Sequence, residues 1–270
     1  MRRAFSRIRT VFFCFCVFSV PALADETIAI IGTGDLGDSF GPRFSDLGYR
    51  VVYGSRSPTS ENVRRLVEST GNGATAASQR DAAQQGDIVL LAIPWPAMET
   101  VAQSLGDLSG KIVIDVSFPW TQTEDGYPDL LIETSSAEMI QTWNPDAKVV
   151  KALTTMGSMI IDEPLAAGGI VTIPIASNHR DAKEKVAGLV ADLGLDPVDA
   201  GPLRMARAME SMTLLYMVPI LQRRTEEWEF HFRRNADWVC KWQDDWSDPV
   251  YDADRLAEMP ETQEPLKPCP

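Results

Sequence analysis

Residues 27–37 read TIAIIGTGDLG, and the reading of this stretch decides the fold. Ile28, Ala29, Ile30 and Ile31 make a short apolar run that stops at a glycine, the pattern of a strand buried on both faces of a parallel sheet. Gly32, Gly34 and Gly37 follow at G-x-G-x-x-G spacing, and each has a mechanical reason. The first allows a tight turn, the second lets backbone approach a pyrophosphate, and the third lets helix pack closely on strand. The helix that opens there offers unpaired N–H groups and a positive dipole end to the phosphates. Gly32, Thr33, Gly34, Asp35, Leu36 and Gly37 are therefore candidate cofactor-binding residues. One local conflict stands: Gly41-Pro42 lies inside the expected helix and should bend or weaken it.

Outward from this motif, strand and helix alternate. YRVVYG (49–54), DIVLLAIP (87–94), KIVIDVS (111–117), KVVKAL (148–153) and IVTIPIAS (170–177) read as strands. Between them lie helical patterns, such as SPTSENVRRLVEST (57–70) with Val63, Leu66 and Val67 on one face. The expected class is α/β: a Rossmann-type doubly wound parallel sheet with a small C-terminal α/β or helical domain. The expected divisions are a signal peptide at 1–24, a Rossmann domain at 25–150, a small domain with a long helix at 151–224, and a Trp-rich acidic tail at 225–270. Residues 118–136 show no clear period and carry two prolines, so they read as an excursion or lid loop. Trp238, Trp242 and Trp246 recur at four-residue spacing, a packing stripe on a helix.

The end of the second strand selects the nucleotide. An NAD site has Asp or Glu there to hold the ribose 2′-hydroxyl, whereas this chain has Gly54-Ser55-Arg56-Ser57 and no acid. The Arg56 fork suits a 2′-phosphate, and the Ser55 and Ser57 hydroxyls add to it, so NADP is expected. Ala92, Ile93, Pro94 and Trp95 end a strand at the ligand edge of the sheet. Pro94 and Pro96 stiffen the turn around Trp95, leaving its ring either beside a nicotinamide or in interdomain packing.

Composition narrows the classes. The formal net charge is −13, and residues 1–24 hold four arginines and no acid, so the remainder is more acidic still. Such a surface repels nucleic acid and anionic lipid. Residues 1–24 have the arginines, the apolar run VFFCFCVFSV and the small-residue site Ala22-Leu23-Ala24 of a secretory signal. Export to the periplasm or medium is expected; uncleaved anchoring and the choice between twin-arginine and general secretion stay open. Without that signal the cysteines are Cys240 and Cys269, which could close one disulfide in an oxidising compartment. The two histidines and these cysteines show no metal-ligand spacing, so no metal site is expected. The apolar surplus in the helix of residues 201–224 points to a second subunit, a homodimer.

The ordered stretches IAIIGTGDLGDSFGPRFSDLGYRVVYGSRSP, LLAIPWPAM, GKIVIDVSFP, DAKVVKALTTM and IPIASNHRDAKEKVAGLVADLGLDPVDAGPLRMARAME resemble the deazaflavin (coenzyme F420)-dependent NADP reductases. They also resemble the NADPH-binding domain of the six-transmembrane metalloreductases, whose glycine loop likewise reads GTGD or GSGD followed by GSR. The similarity covers about residues 27–220. It implies NADPH on Gly32–Leu36 and Ser55–Arg56, with its ring near Ile93–Trp95, and usually a dimer. Where the family often has DATNP, this chain has DVSFP with Phe118 at the Asn position; where it often has KAFNT, this chain has KALTT with Thr154 there. Phe118, Thr154, Met156, Gly157 and Ser158 are thus the candidate substrate pocket.

The expected activity is NADP(H)-dependent hydride transfer to a deazaflavin, flavin or other small acceptor. Such a transfer needs positioned rings and no protein acid or base at the reacting carbon. The alternative is an NADP-binding sensor or assembly module without turnover.

Overall fold

The computed structural model describes residues 26–223 and 228–232. The signal segment, Trp238, Trp242, Trp246, Cys240 and Cys269 lie outside the described residues.

The alternation expected from sequence is present. Strand β1 (Thr27–Ile31) leads into α1 (Asp35–Asp46), then β2 (Arg50–Ser55), α2 (Glu61–Thr70), β3 (Thr75–Ser78) and α3 (Gln79–Gln85). Next come β4 (Ile88–Leu91), α4 (Trp95–Ser104) and β5 (Ile112–Asp115). Short strands β6 (Trp120–Gln122) and β7 (Pro128–Leu130) precede α5 (Ser136–Trp143), β8 (Lys148–Lys151) and α6 (Ser158–Asp162). The last elements are β9 (Thr172–Ala176), α7 (Arg180–Asp192), β10 (Asp196–Gly201), a 3-10 turn at Leu203–Met205, and α8 (Ala206–Leu221). Sequence reading did not mark β3 and α3: TAAS and QRDAAQQ are too short and polar to carry a period.

One eight-stranded sheet runs in the order β10-β9-β8-β5-β4-β1-β2-β3. Six of these strands, β3-β2-β1-β4-β5-β8, are parallel and follow the 3-2-1-4-5-6 order of dinucleotide-binding sheets. Strand β9 joins antiparallel to β8, and β10 lies parallel to β9. The boundary set at residue 150 on sequence falls inside β8, and the strands beyond it hydrogen-bond into the same sheet. The long helix expected from residue 201 starts at Ala206, because Gly201 still belongs to β10 and Pro202 precedes the 3-10 turn.

Both faces of the sheet are covered, which is why the strands read as unbroken apolar runs. Ile28, Ile30, Leu90, Ile114 and Val150 pack with Phe40, Phe44 and Leu66 on one side. Ala29, Ile31, Leu91, Val113 and Val149 pack with Met98, Ile140 and Ala206 on the other. Each such fully buried Ile or Leu is worth roughly 1.5–3 kcal/mol. Helix α1 runs unbroken through Gly41-Pro42, where a bend had been expected.

The segment read as a lid loop contains a hairpin. Strands β6 and β7 pair antiparallel around Gly126, whose φ of 86° closes the turn, and Gln222 donates to the Gly126 carbonyl at 3.0 Å. Residues 228–232 lie along the start of β9: Thr172 N–H donates to the Phe230 carbonyl at 2.8 Å, and Phe232 N–H donates to Thr172 Oγ1 at 2.9 Å.

The register organises the functional edge. Gly54, Ile31, Leu91, Asp115 and Lys151 are successive partners in one row across β2, β1, β4, β5 and β8. The residues that follow each of them form the C-terminal edge, and the strand order reverses between β1 and β4. Ligands of open α/β sheets bind in the crevice at that point.

Candidate functional site

The three motif glycines do different things. Gly32 has a φ of +128°, and a β-carbon there would sit 2.1 Å from the Ala92 carbonyl oxygen at the end of β4. A β-carbon on Gly37 would come within 2.5 Å of the Gly32 carbonyl oxygen. These two glycines serve the fold. Gly34, in extended backbone at the N-cap of α1, is different: a β-carbon there meets no atom within 4 Å. The protein leaves that space open above the first turn of α1, where unpaired N–H groups and the helix dipole favour an anion. In the G-x-G-x-x-G motif this is the side on which backbone approaches a pyrophosphate.

The space continues as a groove of about 380 Å³ lined by Thr33, Gly34, Asp35, Asp38, Asn62 and Arg65. Thr33, Gly34 and Asp35 were expected there; Asn62 and Arg65 were not. Asn62, Arg65, Leu66 and Ser69 share one stripe of α2, next to the apolar face formed by Val63, Leu66 and Val67. Gly37 is buried and Leu36 half-buried against the core, so neither faces the groove as a ligand contact.

At the end of β2, the Gly54 carbonyl accepts from Gly32 N–H at 3.1 Å, which ties this strand to the glycine loop. Ser55 is buried, and its hydroxyl oxygen accepts from Ser57 N–H at 3.1 Å and shapes the turn. Arg56 and Ser57 are exposed, and Arg56 pairs with no carboxylate among the described residues. This is a cationic turn at the position where an acid would select NAD.

On the other side of the crevice, Ala92 N–H donates to the Ile31 carbonyl at 2.9 Å, which seats the β4 exit against the glycine loop. Pro94 caps α4 and Ile93 packs on the core. Trp95 stacks on Trp143 of α5, with centroids 6.1 Å apart and planes 24° apart. This is packing between α4 and α5, both inside the span 25–150 read as the Rossmann domain, so it is not the interdomain contact expected from sequence.

The expected substrate residues divide. Phe118 is half-buried at the β5 exit and stacks on Trp120 at 6.1 Å and 18°, an aromatic ledge on the hairpin. Thr154 is buried; its hydroxyl donates to the Val116 and Ser117 carbonyls at 3.1 and 3.2 Å. Met156 is a core residue packed with Leu153 and Ile160, which removes it from a pocket wall. Gly157 leaves room for Tyr216, whose hydroxyl would lie 2.3 Å from a β-carbon there. Ser158 begins α6 and is half-buried.

Sequence reasoning missed what lies beneath this edge. Lys151, Asp115, Ser136 and Glu210 are completely buried together. Four acceptors surround the three N–H groups of the Lys151 ammonium: Asp115 Oδ2 at 3.0 Å, Glu210 Oε1 at 2.9 Å, Ser136 Oγ at 2.8 Å and the Ser117 carbonyl. Asp115 Oδ1 accepts from Ser117 N–H at 2.9 Å and Ser117 Oγ at 2.6 Å. Ser136 N–H donates to Glu210 Oε1 at 2.9 Å. Burial pushes the Glu210 carboxyl above the ordinary carboxylate range; Lys151 opposes this and Asp115 adds to it. Asp115 and Lys151 lie in KIVIDVS and KVVKAL, which read as strands, and only the register sets them side by side. Among the described residues, no group of three His, Cys, Asp or Glu side chains is arranged to hold a metal ion.

A nucleotide crevice at the strand-order reversal, with an open Gly34 and a cationic β2 turn, defines a Rossmann-type NADP-binding protein. A family model described as NADP oxidoreductase, coenzyme F420-dependent, matches residues 27–119. The F420-dependent NADP reductase of Methanothermobacter thermautotrophicus is 31% identical over 205 residues, which cover 70% of this chain and 86% of that one. Human metalloreductase STEAP2 is 31% identical over 191 residues, covering 70% of this chain but 36% of its own length. The crystal structure of a putative F420-dependent NADP reductase from Arthrobacter sp. FB24 superposes with a TM-score of 0.70 at 28% identity, covering 77% of this chain and 99% of that one. The chain belongs to the F420-dependent NADP oxidoreductase family and is an NADP-dependent oxidoreductase-family enzyme.

Proposed function

We propose that this protein transfers hydride between NADPH and a deazaflavin, a flavin or another small acceptor at the C-terminal edge of its sheet. The observation that carries the proposal is the unfilled space at Gly34 beside the acid-free Ser55-Arg56-Ser57 turn. Bound NADPH supplies the hydride. The α1 N-terminus and Gly34 hold its pyrophosphate, Arg56 holds the 2′-phosphate, and the β4 and β5 exits at Ile93 and Phe118 receive the reacting end. A deazaflavin acceptor is supported by the names of the relatives. Widening the acceptor to flavins is supported by Phe118, which with Trp120 puts an aromatic ledge at the β5 exit. The proposal includes a homodimer, supported by Leu215 and Ile220, exposed on α8. Export, supported by the segment ending Ala22-Leu23-Ala24, completes it.

The test is NADPH oxidation by the purified full chain with a deazaflavin, FMN or a quinone in turn. Acceptor-dependent oxidation that saturates supports hydride transfer and names the acceptor class. Tight NADPH binding with no oxidation by any of the three would leave a cofactor-binding module and sink the proposal.

A further inference from the structure

We infer that the buried cluster of Lys151, Asp115, Ser136 and Glu210 is the positioning base of the hydride-transfer site, holding the β5 and β8 exits in the arrangement that receives the acceptor. The inference rests on the proposed function in one respect: it takes these two exits as the reacting end of the cofactor site.

Three observations converge on it. First, the cluster acts on one backbone atom. The Ser117 carbonyl accepts from Lys151 Nζ and lies within reach of the Thr154 hydroxyl at 3.2 Å, which it shares with the Val116 carbonyl at 3.1 Å. A carbonyl engaged by a buried ammonium and flanked by a hydroxyl is held in place, and the next residue is Phe118. The cluster behind that carbonyl draws on β5, β8, the first residue of α5 and α8, elements distant in sequence. Deleting any one of them would loosen the others.

Second, the chain leaves β8 in a conformation that leucine avoids. Leu153 has a φ of 59° while its side chain is buried in the core. A β-carbon in the left-handed region is strained, and such strain persists where the surroundings over-determine it, often at functional sites. Here the turn delivers Thr154 to the Ser117 carbonyl, and Thr213 Oγ1 donates to the Thr154 carbonyl at 3.2 Å from α8.

Third, two polar atoms at this place are buried without a hydrogen-bond partner: Thr155 Oγ1 and Glu210 Oε2. Buried orphans are rare in native proteins and each calls for a reason. A fold selected for stability alone would replace such an ionic cluster with apolar side chains at little or no cost. Retaining a lysine, two carboxylates and two orphans in one place is explained by the geometry they impose on the edge above. That edge is close to the cofactor. Asp115 sits two strands from Ile31, roughly 10 Å at ordinary strand spacing, and a dinucleotide whose pyrophosphate lies over Gly34 extends across β4 toward β5.

The test compares the full-length wild type with Ser136→Ala and Lys151→Met. Ser136→Ala removes one hydroxyl and should fold, so it keeps the inference falsifiable if Lys151→Met does not. Three quantities are read well below each variant's melting temperature: the NADPH Kd, the single-turnover rate of hydride transfer to the acceptor found for the wild type, and the emission of the bound nicotinamide. The expected result is an NADPH Kd within about twofold of wild type, a transfer rate at least about tenfold lower, and altered nicotinamide emission. Variants that fold and bind NADPH but transfer hydride at the wild-type rate with unchanged emission would overturn the inference while leaving the proposed function intact. A wild type that binds NADPH but reduces no acceptor defeats the proposed function alone, and the emission then decides the positioning role. A wild type that does not bind NADPH overturns both.

Discussion

Tyr53 occupies the volume that a β-carbon on Gly41 would need: the phenolic oxygen lies 1.6 Å from the place where that carbon would stand. From there Tyr53 reaches Thr70 Oγ1 at 2.7 Å. Because Thr70 already donates to the Leu66 carbonyl at 2.8 Å, Tyr53 is the donor in this pair. A residue of β2 thus crosses under α1 to hold the end of α2. Burial pushes the Tyr53 hydroxyl up to about 12, so it stays protonated at any working pH.

Gly41→Ala should therefore destabilise the protein. In an ordinary helix interior the change would gain about 1 kcal/mol. Here it forces the phenol out of its slot, and overpacking costs roughly 1–3 kcal/mol. Thermal melting should show a clear loss, with part of it recovered in Gly41→Ala/Tyr53→Phe. A variant as stable as wild type would mean that the slot is not tight.

The motif glycines should separate by experiment. Gly34→Ala should melt within a few degrees of wild type, since its β-carbon meets nothing in the protein, yet its NADPH Kd should rise at least about tenfold. Gly37→Ala should lose stability outright, because the Gly32 backbone beside it cannot give way. Equal NADPH affinity in wild type and Gly34→Ala would argue against phosphate binding at the α1 N-terminus.

Arg56→Ala tests nucleotide choice. A charge-assisted hydrogen bond contributes about 1.5–3 kcal/mol, which corresponds to a rise of about 10- to 150-fold in KM for NADPH. KM for NADH should change by less than about threefold, because NADH carries no 2′-phosphate. Parallel losses for both nucleotides would assign Arg56 to the turn rather than to the ligand.

Glu210 gives stability a specific pH dependence. Its carboxyl titrates above the ordinary glutamate value of 4.5 in the folded protein, chiefly through burial. Between 4.5 and that raised value the folded state binds more protons than the unfolded state, so stability falls as pH rises through the window. The contribution is fully present below 4.5 and lost above the folded value. Glu210→Gln removes the titration. The melting temperature of wild type minus that of the variant should therefore decline as pH rises above 4.5 and level off once the folded carboxyl has ionised. A flat difference would mean that Glu210 ionises in the folded protein as it does in the unfolded chain.

The sequence by itself determined the parallel core of the sheet and the class of nucleotide, and it marked the glycine loop. An apolar run ending in G-x-G-x-x-G is a local pattern whose geometry hardly depends on the rest of the chain, and the missing acid after YRVVYG is equally local. Helices with a clear apolar stripe were legible for the same reason, while β3, α3 and the hairpin at 118–136 were too short to show a period. Only the tertiary structure decided what lies under the reacting edge. Parallel register set Asp115 beside Lys151, α8 brought Glu210 back to meet them, and α5 added Ser136. Gly41 likewise looked like a flaw in a helix until Tyr53 was found in its place. Contacts between residues tens of positions apart leave no periodic trace in a single chain; they exist only once strand order and register have been set by the packing of the whole.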